Sequence, residues 1–361
     1  MGLSAGIVGL PNVGKSTIFN ALTSGKAQSA NYPFCTIDPN VGIVPVPDSR
    51  LEEVHAFVKS EKVLPAALEI VDIAGLVRGA STGEGLGNQF LANIRQVDAI
   101  LHVVRCFEDE DVVHVDGDVD PLRDIETIET ELMMADLETL EKRAKRIQKM
   151  TDPDSKAELA AIKAAEALLG RGEWLARSDL EENHVKALRA LFLLSMKPVL
   201  FIGNVHEDDL EGQHPVVATL RSHAQATGAG LVIISGKIES ELADLDAAEK
   251  QEMLQDFGMT EPGLHALARE TYRLLGLQSY FTAGPKEIRA WTIRTGTKAP
   301  QAAGVIHSDF ERGFIRAEVY TLADLKTHLT EAEIRNQGLL RQEGKEYVVQ
   351  DGDIIHFKFN V

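Results

Sequence analysis

The residues with the clearest chemistry are Gly9-Leu10-Pro11-Asn12-Val13-Gly14-Lys15-Ser16, a complete G-x-x-x-x-G-K-S run. An apolar stretch, Ala5 to Val8, precedes it, and a helical one, Thr17-Ile18-Phe19-Asn20-Ala21-Leu22, follows. In a strand–loop–helix setting such a run is a phosphate-binding loop rather than an ordinary Gly-containing turn. Backbone N–H groups of Asn12, Val13, Gly14, Lys15, Ser16 and Thr17 can converge there on phosphate oxygens, aided by the positive end of the helix. The Lys15 ammonium reaches the β- and γ-phosphates, and the Ser16 hydroxyl is placed to bind Mg²⁺. The expected ligand is a nucleoside triphosphate.

A second apolar run, Leu68-Glu69-Ile70-Val71-Asp72-Ile73-Ala74-Gly75, ends in D-x-x-G. Beside a phosphate loop, an Asp at a strand end holds Mg²⁺ through its hydration shell, and the Gly75 amide can sense the γ-phosphate. Thr36, in Asn31-Tyr32-Pro33-Phe34-Cys35-Thr36, offers the metal a second hydroxyl; its bland reading is a surface-loop threonine. Glycines at 75, 79, 83, 85 and 87 crowd the stretch before Phe90, which suits a switch ordered by the γ-phosphate. Leu76 stands where Ras-like proteins carry the water-orienting Gln. It neither donates nor accepts a hydrogen bond, so intrinsic hydrolysis should be slow.

Base choice is read at Asn204-Val205-His206-Glu207, after the apolar run that ends in Phe201-Ile202-Gly203. GTPases place N-K-x-D here: the Lys stem stacks on guanine, and the Asp bonds N1–H and N2–H₂. The stacking Lys is absent, and Glu207 moves its carboxylate by roughly 1.5 Å, one C–C bond. The roughly 10⁴-fold discrimination that paired polar contacts supply should then collapse. Adenine presents an N6 donor and an N1 acceptor, which backbone groups near Val205 can satisfy. The alternative is that N-x-x-E is only a loop and the base is read elsewhere.

Positioning these groups requires a sheet. Short apolar runs recur at Ala5–Leu10, Ala67–Val71, Ile100–Val104, Val199–Ile202 and Leu231–Ile234, separated by helical patterns and Gly-rich turns. That alternation predicts an α/β fold, a doubly wound parallel sheet with ligands at the carboxyl ends of its strands. Between about 121 and 195, apolar residues at Met133, Leu137, Leu140, Ala144 and Ile147 step by four and three. After a break at Thr151-Asp152-Pro153-Asp154, a second amphipathic segment runs from Ser155 to Leu169. The expectation is an antiparallel helical hairpin inserted in the nucleotide-binding domain, with Ser155 as a cap; a buried bundle element is the alternative. From about Gln278, strand-like patterns at Ala290–Arg294, Phe314–Val319, Glu346–Val349 and Ile354–Phe359, with a short helix over Thr321–Thr330, predict a small β-rich domain.

Composition bounds the partners. The chain has 361 residues, 44% of them hydrophobic, enough for two or three domains. No apolar run is long enough to span a bilayer, and Cys35 and Cys106 form no framework. With a strand pattern starting near the first residue, the expectation is that there is no signal peptide. We expect a cytoplasmic protein with no membrane partner, acting as a monomer. A net charge of −18 argues against diffuse nucleic-acid binding. Residues 278–361 hold 11 basic and 11 acidic side chains, so the whole excess lies in residues 1–277. Any RNA contact must use a local patch. The candidate is Lys142-Arg143-Ala144-Lys145-Arg146-Ile147-Gln148-Lys149, five basic residues in eight; a solvated helix face paired with glutamates explains it equally well.

The assembled set resembles the Obg-type branch of P-loop NTPases, and more closely its YchF subfamily. Gly9–Ser16, Tyr32-Pro33-Phe34-Cys35-Thr36-Ile37-Asp38-Pro39-Asn40 and Asp72-Ile73-Ala74-Gly75-Leu76-Val77 carry the resemblance. The hairpin and Ile306-His307-Ser308-Asp309-Phe310-Glu311-Arg312-Gly313-Phe314 extend it over the full length. It implies a P-loop domain over 1–277 with a coiled-coil insertion, and a TGS domain, a ubiquitin-like β-grasp module, over 278–361. It further implies ATP in preference to GTP and a ribosome as partner, either its large subunit or the whole particle, met through rRNA near Lys142–Lys149. His114, in Asp111-Val112-Val113-His114-Val115-Asp116, matches a histidine that the family pattern implicates in hydrolysis. An imidazole titrating near neutrality can position or deprotonate water. Asn12 is a candidate to recruit K⁺, as in related switch NTPases that lack the Gln. Two other functions remain open on the residues: a GTP-specific ribosome-assembly factor, and a nucleotide-gated regulator acting on a protein partner.

Overall fold

A computed structural model of the chain describes residues 3–24, 40–73, 86–109 and 117–360. Each of the five apolar runs in the first 240 residues forms a strand: β1 (Ser4–Val8), β4 (Ala66–Asp72), β5 (Ala99–Arg105), β6 (Val199–Asn204) and β7 (Gly230–Ile234). In the same stretch two further strands were not anticipated, β2 (Val41–Val46) and the short β3 (Val63–Leu64). The sheet order is β2-β4-β1-β5-β6-β7, and the β4–β1, β1–β5, β5–β6 and β6–β7 pairs are all parallel. Every residue of β1, β5 and β6 is buried, as expected where helices cover both faces of a parallel sheet. β2 lies at the edge with alternating burial, and an edge tolerates its Pro45.

By contacts the chain divides into two units, one of residues 1–43 and 69–274, the other of residues 44–68 and 275–361. The division passes through β2 and β4. In the first unit the helix Pro121–Ile147 begins at Asp120, whose carboxylate accepts from the Leu122 and Arg123 N–H groups. Its first half buries Ile125, Ile128, Leu132 and Ala135. Its second half buries Leu140 and Ile147 with Ala161, Ile162, Ala165 and Leu169 of the returning helix Pro153–Leu169. Leu188 of the helix Glu182–Leu188 and Leu193 complete that core, so the hairpin has a third helix as its filler. Asp136 fixes the junction: its buried carboxylate accepts from the Leu194 N–H, the Ser195 N–H and the Ser195 hydroxyl at 2.8, 2.7 and 2.6 Å. The cap of the returning helix is Asp152, and Ser155 supplies the N–H it accepts. Pro153 occupies the first helical position, which moves the cap to the residue before it and corrects the expectation for Ser155.

In the second unit β8 (Leu277–Ala283), β9 (Ile288–Arg294), β10 (Phe314–Tyr320), β11 (Arg341–Glu343) and β12 (Ile354–Phe359) join β3 in the order β11-β10-β12-β8-β9-β3. The β8–β9 and β10–β12 pairs are antiparallel, whereas β12–β8 is parallel. Ala299, Ala302 and Ala303 of the helix Ala299–Ile306 pack against Tyr280, Ile293, Val319 and Ile355. The expected helix after Thr321 is present as Leu322–His328, with Thr321 and Asp324 in a reciprocal capping box. Glu346–Val349 is not a strand. Its Tyr347 carbonyl and Val349 N–H bond the turn at Thr297–Ala299, leaving a single bridge between Lys298 and Val348.

Candidate nucleotide-binding site

The phosphate loop leaves β1 at Val8 and enters the helix Lys15–Thr23. Two glycines are sterically required. A Cβ on Gly9 would stand 2.6 Å from the Val103 carbonyl oxygen, and one on Gly14, at φ +94°, would stand 2.3 Å from Asn204 Nδ2. Asn12 also adopts a left-handed backbone, φ +61°, which asparagine tolerates better than most residues. The N-cap residue is Gly14, which has no side chain to cap the helix, so the N–H groups of the first turn, at Lys15, Ser16 and Thr17, receive no cap from that position. Ser16 and Thr17 are exposed at that end.

Lys15 is buried and donates from Nζ to the Leu10 carbonyl at 2.7 Å. Burial pulls its ammonium down to about 8, against the opposing pull of Asp72. Asp72 ends β4 beside Ile7 of β1, and its N–H donates to the Asn40 carbonyl. Burial raises its carboxyl, and Lys15 counters that. Lysine and aspartate therefore act on each other at the end of the β1–β4 pair, the cation suited to phosphate oxygens and the carboxylate to a hydrated Mg²⁺. Among the described residues there is no cluster of three or more His, Cys, Asp or Glu side chains for a metal. A Mg²⁺ held by one hydroxyl, an outer-sphere carboxylate and phosphate oxygens needs no such cluster.

The base-side residues divide in role. Asn204 is buried and both ends of its amide are committed: Nδ2 donates to the Val13 carbonyl at 2.9 Å, and Oδ1 accepts from the Gly236 N–H at 2.8 Å. It ties the phosphate loop to the loop after β7. Val205 is buried, and its N–H donates to the Ile234 carbonyl. Glu207 turns outward and pairs with Lys237. The structure thus brings Asn12 to Thr17, Asp72, Asn204 and Val205 to the carboxyl ends of β1, β4 and β6. Thr36, Gly75, Leu76 and His114 lie outside the described residues. Sequence reasoning passed over Ser235-Gly236-Lys237, which follows β7. Its signal was position, since ligands of such sheets gather at the carboxyl ends of the strands.

Residues 4–150 match the family described as "50S ribosome-binding GTPase", and residues 277–360 match YchF-GTPase_C, described as "Protein of unknown function (DUF933)". The protein named "Ribosome-binding ATPase YchF" of Pasteurella multocida is 52% identical over 364 residues, covering 100% of both chains. Its namesake in Bacillus subtilis is 53% identical over 368 residues, again covering 100% of both. The solved structure described as "Structure of the Schizosaccharomyces pombe YchF GTPase" superposes with a TM-score of 0.89 at 40% identity, covering 99% of this chain and 97% of that one. On this full-length similarity and the phosphate site just described, the chain belongs to the YchF family of P-loop NTPases.

Proposed function

We propose that the chain is a Mg²⁺-dependent ATPase that works as a ribosome-associated switch in the cytoplasm. The observation that carries this reading is the phosphate loop itself, with buried Lys15 opposite Asp72 and an uncapped helix end beside them. Lys15 exchanges the Leu10 carbonyl for β- and γ-phosphate oxygens, and the amides of Val13 to Thr17 hold the α- and β-phosphates. Ser16, Thr36 and the Asp72 carboxylate, the last through water, are the groups to hold Mg²⁺, which when bound neutralises charge between the β- and γ-phosphates. Gly75 senses the γ-phosphate, His114 orients the attacking water, and Asn12 is the residue to recruit K⁺. The second unit is read as the TGS module. The relatives' printed names support the ribosome as partner. On this reading rRNA meets the basic run Lys142–Lys149, and the chain acts as a monomer.

The name GTPase in two of the matched descriptions keeps GTP as the second reading. Titration of fluorescent ATP and GTP analogues separates the two: tighter ATP binding is expected, and a preference for GTP overturns the assignment. His114→Ala should lower kcat substantially and leave ATP affinity within about twofold, because the loss is confined to the transition state. A folded variant with wild-type kcat removes His114 from the mechanism.

A further inference from the structure

Glu207 begins the turn Glu207–Asp209 after β6, and Lys237 lies in the first turn of the helix Gly236–Asp244 after β7. Lys237 Nζ donates to Glu207 Oε1 at 2.7 Å and stands 2.6 Å from Oε2, so one ammonium spans both carboxylate oxygens. The loops that bear the two residues are already joined, because Asn204 accepts from the Gly236 N–H next to Lys237. The backbone therefore presets the ion pair.

Reading guanine with a carboxylate needs two available oxygens, one for N1–H and one for N2–H₂. Here a single ammonium engages both, and the edge it leaves presents donors to a base whose own edge carries donors. Adenine offers an acceptor at N1 and asks for one acceptor only, for N6. The Ser235 hydroxyl, 3% exposed and without a hydrogen-bond partner among the described residues, leaves a further donor in the same loop. We propose that Lys237 is a specificity-determining positioning residue, which holds the Glu207 carboxylate closed against guanine.

This inference rests on the ATP preference proposed above. Its test measures Kd for fluorescent ATP and GTP analogues on the full chain and on Lys237→Ala, Lys237→Arg and Lys237→Glu. An exposed ion pair restrains its partners weakly, so Lys237→Ala should tighten GTP by about threefold to fivefold and leave ATP within twofold. Lys237→Glu should shift the ratio the same way, and Lys237→Arg should keep the wild-type ratio. Unchanged thermal midpoints keep folding out of the comparison. A GTP/ATP ratio in Lys237→Ala equal to that of the wild type overturns the inference, as does equal loosening of both nucleotides. A wild-type preference for GTP overturns the ATP reading instead, while the change between wild type and Lys237→Ala still decides the role of the lysine.

Discussion

Asn204 donates to the Val13 carbonyl and accepts from the Gly236 N–H, so one buried amide holds the phosphate loop, the end of β6 and the start of the helix Gly236–Asp244. From sequence it reads as a base contact, being the Asn of N-x-x-E. Its geometry is that of a brace. Asn204→Ala should leave a buried carbonyl and a buried N–H unpaired and cost roughly 2–4 kcal/mol, measurable by chemical denaturation. Affinity for ATP and GTP should fall by similar factors, since the phosphate loop serves both. Loss of ATP with GTP retained would return Asn204 to base recognition. The phosphate loop was legible because its eight residues are contiguous and their spacing is the mechanism. Lys237 was not, because its partner lies 30 residues away in the chain and only the fold brings them together.

At the scale of elements, the sheet of the second unit carries a charge cluster that no local pattern announces. Glu318 of β10 is nearly buried, its side chain 5% exposed. It accepts from Arg316 at 3.1 Å, from Arg335 of the helix Glu331–Asn336 at 3.4 Å, and faces Lys358 of β12 at 3.5 Å. Burial alone would raise its carboxyl, but the three cations together hold it below the usual carboxylate range. A depressed carboxylate contributes its stability above the unfolded value, about 4.3, and loses it as pH falls through the folded one. Glu318→Gln should cost about 1–2 kcal/mol at pH 7, because three half-exposed cations then converge on a neutral amide. The gap between variant and wild type should narrow toward pH 3, and a gap that is constant with pH would remove the charge argument. The strands of the first sheet were legible as apolar runs. β2 was missed because its alternation is short and contains Pro45, and Glu346–Val349 reads as a strand although its backbone bonds a turn. β8 was hidden for another reason: Leu274-Leu275-Gly276-Leu277 continues the apolar run of the helix before it.

For the whole molecule the deciding quantity is charge. On the proposed reading, a chain of net charge −18 meets rRNA against its own average field, so those contacts have to be local and few. Within the patch Lys142–Lys149 the neighbouring glutamates already engage three cations: Lys142 pairs with Glu138, Arg143 with Glu158 at 2.7 Å, and Lys145 with Glu141 at 3.6 Å. Arg146 and Lys149 have no ion-pair partner among the described residues, and they are the two groups of the patch free to reach phosphate. That arithmetic sets an expectation for salt. Each phosphate contact adds about 0.7–0.9 to the magnitude of the slope of log K against log salt, so two contacts give about 1.4–1.8. Co-sedimentation with ribosomes, titrated with KCl, should give that slope for the wild type. In Arg146→Glu/Lys149→Glu the affinity should fall at least tenfold at low salt, and the slope should flatten or reverse as added salt screens repulsion between two polyanions. Replacing Lys142 and Glu138 together by alanine should change little, since it removes a pair that is already neutral. A double variant with wild-type slope and affinity would mean that the ribosome is held by another surface, and the patch would then be a solvated helix face.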